Sequence, residues 1–132
     1  MSTKTITYWQ KDQHFKSYHG KNEINIDGKR EHGFGAKALV LSAIAACSGI
    51  DIVDILGKMR VEFSDFEIET EAEQTEEHPR VFKEIHVTYK LKTAKTNEKK
   101  VRKAIELSLD KYCGVSAMLR KNSPIHYKLQ VL

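Results

Sequence analysis

The chain holds two cysteines, Cys47 and Cys113, and each lies in or at the end of a helix-like segment. Cys47 follows the small apolar run of residues 36–46, and Cys113 closes residues 104–112, with Gly114 directly after it. They are far apart in sequence, so only a tertiary fold can bring them together. One thiol on each of two packed helices suits reversible chemistry between dithiol and disulfide. The reacting species is the thiolate, which a nearby cation favours. Asp51, one helical turn beyond Cys47, works against it, because a carboxylate on the same face disfavours a second negative charge. Unless Asp51 pairs with a cation or turns to solvent, Cys47 is expected to be less acidic. The bland alternative for each cysteine is a small buried hydrophobe.

Other chemistry is less well supplied. Two cysteines cannot close a metal site alone, and neither Cys-x-x-Cys nor His-x-x-x-His occurs, so no metal or organic cofactor is expected. His78 precedes Pro79 in a turn and reads as structural, and Trp9 reads as packing. The basic cluster Lys95, Lys99, Lys100, Arg102 and Lys103 lacks interleaved aromatic residues. It reads as a solvated helix face rather than a nucleic-acid footprint.

The elements that must position the cysteines follow from composition and periodicity. At 132 residues, 40% hydrophobic and 30% charged, the chain is expected to form a single domain, residues 1–132, with one ordinary core. Lys37, Asp51 and Asp54 interrupt the longest apolar stretch, and residues 1–5 have no apolar signal core, so a cytoplasmic protein without membrane partners is expected.

Residues 5–9, 15–18 and 23–26 read as strands, with Asp27-Gly28 as a turn. Residues 36–60 read as a helix, its first half apolar on nearly all sides and its end marked by Gly57 with Lys58 and Arg60. Two strands follow, with an expected bulge near Ser64 and a turn at residues 77–80. A helix over 97–112 capped by Asn97, a short helix over 115–120 and a strand over 125–131 close the chain. Strands in blocks separated by helices predict an α+β fold with largely antiparallel sheets. The long apolar helix has too little in one chain to cover it, which predicts a homodimer.

Residues 39–56, from Leu39 through Cys47 to Leu56, resemble the central-helix motif of the OsmC/Ohr family, nearer its OsmC-like branch. His78-Pro79-Arg80-Val81-Phe82-Lys83-Glu84-Ile85 resembles the family's hairpin, and Tyr112-Cys113-Gly114-Val115-Ser116 the segment of its second cysteine. The resemblance implies an OsmC-like fold with a long buried central helix, assembled as an intertwined homodimer. It also implies a thiol-dependent peroxidase that reduces organic hydroperoxides, with Cys47 as peroxidatic thiol, Cys113 as resolving thiol and an external dithiol as reductant.

The family's thiolate-stabilising arginine would correspond to Arg30, the one arginine before the helix. Its guanidinium is always charged and offers a fork of donors. The chain departs from the hydroperoxide reductases where their helix opens with Pro-Glu, for Ala36-Lys37 stand here. That departure keeps a second reading open: a non-catalytic dimer binding a small apolar ligand or a partner.

Overall fold

The computed structural model describes residues 1–132, which fall into two compact units, 1–40 and 41–132. The first is an antiparallel meander of β1 (Ile6–Lys11), β2 (His14–His19) and β3 (Asn22–Asp27). Tight turns join the strands, with Asp12 and Gly20 in the left-handed region at φ 52° and 62°. Trp9, Phe15 and Ile26 stand opposite one another across the sheet. Trp9 is 66% exposed and donates its indole N–H to the Asp12 carbonyl at 2.9 Å, so within one chain it does not pack as expected.

After β3 the loop is fastened by the Asp27 carboxylate, which accepts the amides of Lys29 (2.9 Å) and His32 (3.1 Å). These amides hold its pKa below the usual carboxylate value. Gly33 runs so close to β3 that a Cβ there would lie 2.2 Å from the Asn25 carbonyl oxygen. Only glycine fits.

The unit division falls within α1 (Ala36–Lys58). The second unit continues with β4 (Ser64–Gln74), β5 (Phe82–Lys92), α2 (Glu98–Leu107), α3 (Gly114–Arg120) and β6 (Ile125–Val131). Its sheet order is β4-β5-β6. β4 and β5 are antiparallel, and their register slips between Ser64 and Glu67, where the sequence predicts a bulge. β6 instead runs parallel to β5, pairing Ile85 with Ile125 through Leu91 with Val131. The crossover through α2 and α3 is long enough to return the chain in the same direction.

Ile85, Val87, Tyr89 and Leu91 of β5 form the buried side of this sheet, and Glu84, His86 and Lys92 lie on the other. The core adds Ile44, Ile52 and Leu56 of α1 and Val101, Ala104 and Ile105 of α2. Each fully buried aliphatic side chain contributes about 2 kcal/mol of transfer free energy.

Three helical details differ from the sequence expectation. α1 ends at Lys58, two residues short of the expected Arg60, with Gly57 still helical and Arg60 in the left-handed region at φ 58°. Asn97 makes no capping hydrogen bond, because its amide donates to Thr93 Oγ1 at 3.1 Å. The helix expected to reach residue 112 leaves α geometry at Leu107 and continues as a π turn, Ser108–Tyr112.

α1 is also covered on one side only: Ile44, Ser48, Gly49, Ile52 and Leu56 are buried, while Ile50 is 64% and Val53 45% exposed. By length and composition alone α1 could cross a membrane. Its buried side is nevertheless part of the core just described.

Candidate functional site

The cysteines are placed by polar ties that hold α1 to β5 and to the π turn. Ser48, next to Cys47, hydrogen-bonds the Tyr89 hydroxyl at 2.8 Å and reaches the Ala45 carbonyl at 3.2 Å. One turn on, the Asp51 carboxylate accepts the Ser108 hydroxyl at 2.9 Å, and that hydroxyl also lies 3.3 Å from the Ser48 carbonyl. Asp51 therefore pairs with a neutral hydroxyl, not with the cation that the sequence argument called for. Ser48, Ser108 and Tyr89 are all fully buried, where an unpaired hydroxyl would be costly. Burial pushes the Tyr89 phenol up to about 12, with Ser48 pulling the other way.

These ties set Cys47, half-buried on α1, against Cys113 at the start of α3. Both are free thiols, and the Cys47 side chain lies near enough to the Cys113 side chain to act on its thiol. Cys113 is buried and caps α3, its Sγ accepting the Ser116 amide at 3.3 Å. Burial raises the Cys113 pKa, and Cys47 beside it raises it further. The Ser116 amide opposes the shift without reversing it. Cys113 is therefore a thiol that holds its proton.

A sequence model of the family described as OsmC-like protein matches residues 11–128. Protein YhfA of Escherichia coli K12 is 36% identical over 94 residues, covering 71% of this chain and 70% of YhfA. The chain belongs to the OsmC-like family. A hypothetical protein from Aquifex aeolicus superposes with a TM-score of 0.90 at 28% identity, covering 100% of this chain and 97% of that one. OhrB of Bacillus subtilis, an organic hydroperoxide resistance protein, shares the fold with a TM-score of 0.67 at 20% identity, each chain covered to 98%.

In this OsmC-like chain Arg30 belongs to the N-terminal unit. It sits in the loop after β3 with φ 58°, is exposed, and donates its amide to the Asp27 carbonyl at 2.9 Å. His32, nearby in that loop, stacks on His14 with ring centroids 5.0 Å apart. Asp27, Glu31 and His32 offer ligand atoms within 4.8 Å of one another, the spacing of a metal site. Asp27 already uses both its oxygens to hold the loop amides, which accounts for the cluster structurally.

Sequence reasoning missed the hydroxyls of Ser48, Tyr89 and Ser116 and the π turn. The one sequence signal for the serines is their recurrence within apolar helical stripes.

Proposed function

We propose that this OsmC-like protein is a thiol-dependent peroxidase acting on organic hydroperoxides. The observation that carries the reading is the approach of the Cys47 and Cys113 side chains, two free thiols on separate elements. The Cys47 thiolate attacks the terminal peroxide oxygen. The O–O bond breaks, an alcohol leaves after taking a proton, and Cys47 becomes a sulfenic acid. The Cys113 thiol then attacks the sulfenic sulfur, closing the disulfide and releasing water. An external dithiol reduces that disulfide and is itself oxidised.

The division of roles follows from the surroundings. Cys113 is the buried thiol with the raised pKa, suited to wait protonated until the sulfenic acid forms. Arg30 is carried as the thiolate-stabilising cation by the family resemblance alone. The reading includes a homodimer, and a cytoplasmic setting in which a reduced dithiol pool would regenerate the enzyme.

The test is mass spectrometry of reduced protein after one equivalent of tert-butyl hydroperoxide. Wild type should yield the Cys47–Cys113 disulfide. Cys113→Ser should yield sulfenic or over-oxidised Cys47, and Cys47→Ser should consume no peroxide. A Cys47 that stays a free thiol in Cys113→Ser would sink the reading.

A second reading, a non-catalytic dimer that binds a small apolar ligand, draws support from the groove of about 580 Å³ beside α1. Ala46, Ile50, Val53, Phe66 and Ile68 are among its lining residues. Lys37, where the hydroperoxide reductases carry a carboxylate, is consistent with it. Unreactive thiols together with saturable binding of an apolar fluorophore would favour this second reading.

A further inference from the structure

The turn that carries Cys113 is held by two side chains from the helix that follows it. In a continuing α-helix the Cys113 amide would bond the Leu109 carbonyl, four residues back. In the π turn that amide goes to the Ser108 carbonyl instead, at 2.7 Å. The displaced Leu109 carbonyl accepts the Ser116 hydroxyl at 3.0 Å and the Arg120 guanidinium. The Ser116 hydroxyl is also 2.9 Å from the Cys113 carbonyl, and its amide meets the Cys113 sulfur. Arg120 is further anchored by Asp110 at 4.0 Å. Ser116 is fully buried, so nothing but these partners satisfies it. π turns of this kind recur at functional sites.

We infer that Ser116 and Arg120 are positioning residues. They hold the π turn so that the Cys113 thiol faces Cys47, and so decide whether a sulfenic Cys47 is resolved or over-oxidised. The inference rests on the peroxidase reading. In the productive step Cys113 gives up its proton and attacks the Cys47 sulfur. An S–S bond forms, the S–O bond breaks, and hydroxide leaves with the proton as water. In the competing step a second hydroperoxide transfers an oxygen to the sulfenic sulfur, leaving an alcohol and a sulfinic acid. Without the two clamps the Cys113 amide is free to return to Leu109. The turn then rewinds towards α geometry and carries the thiol away.

The experiment uses the full chain and its Ser116→Ala and Arg120→Gln variants, reduced and then given graded tert-butyl hydroperoxide. The ratio of sulfinic Cys47 to disulfide, read by mass spectrometry, should rise about five- to tenfold, the factor expected for one lost hydrogen bond. Arg120→Lys should recover part of the loss. Should Ser116→Ala fail to fold, as shown by its thermal transition, Arg120→Gln decides, since its side chain is partly exposed.

A second readout needs no peroxide: alkylation of Cys113 by iodoacetamide should speed up in both variants. Wild-type alkylation rates in both folded variants would overturn the inference. Wild-type protein that forms neither disulfide nor oxidised Cys47 would instead overturn the peroxidase reading, leaving alkylation to judge the clamp.

Discussion

At Tyr89 the chain buries a phenol hydroxyl against Ser48 of α1, at 2.8 Å. Its pKa is raised from 10.0 to about 12, so the folded state keeps a proton that the unfolded chain releases first. The stability this provides is complete below pH 10 and is lost as pH rises from 10 towards 12, about 3 kcal/mol in all. Tyr89→Phe should therefore be less stable than wild type at pH 8, with the gap narrowing by pH 12. Urea unfolding of both proteins across that range checks it, the other tyrosines and lysines being common to both. A gap that widens with pH would contradict the buried, protonated phenol. Cys113 makes a parallel case: in Cys47→Ser its alkylation at neutral pH should be slower than that of a free thiol and should climb with pH. The remaining cause, burial, still favours the protonated form.

α1 works as an element because one side is apolar at helical spacing while Ser48 and Asp51 supply polar ties on the same helix. Ile52 is fully buried in the core, so Ile52→Ala should cost about 2–4 kcal/mol of unfolding free energy, measured by denaturant titration. Loss of less than about 1 kcal/mol would mean the core there can collapse. The loop after β3 is limited by a different force. Gly33→Ala would put a Cβ 2.2 Å from a backbone oxygen, which cannot rotate away as a side chain can. A loss of about 1–3 kcal/mol is expected, carried by the N-terminal unit. Trp9, the one tryptophan, lies in that unit, so its fluorescence should report the loss directly.

A single molecule leaves the outer side of α1 exposed, with Ile50, Val53 and the groove formed with Phe66 and Ile68 open to solvent. Contiguous apolar surface of this kind marks an interaction site. Sedimentation velocity at micromolar concentration should give twice the chain's 15.1 kDa mass. Ala43→Glu, which puts a charge on the exposed part of α1, should return the protein to monomer, because a partner would bury that charge unpaired. A wild-type monomer would reject the homodimer. An unaffected Ala43→Glu dimer would move the interface elsewhere.

Residue type and periodicity alone were enough to establish the element order and the bulge at Ser64, and to nominate Cys47 and Cys113 as the thiols to test. Each rests on local information: apolar spacing, turn residues and a motif contiguous in the chain. Family membership was legible for the same reason, since three short segments in order carry it.

The direction of β6 was not legible, because pairing across a crossover depends on where a strand lands rather than on its own residues. Nor were the exposed position of Trp9 and the replacement of the Asn97 cap by a bond to Thr93, both set by neighbours that no local pattern names. The π turn escaped because Ser108–Tyr112 has ordinary helical residues. What diverts it is the pull on the Leu109 carbonyl by Ser116 and Arg120, from the next helix. Sequence could nominate the two thiols. Only the tertiary structure, by burying Cys113 and hydrogen-bonding its sulfur, could make them unlike one another.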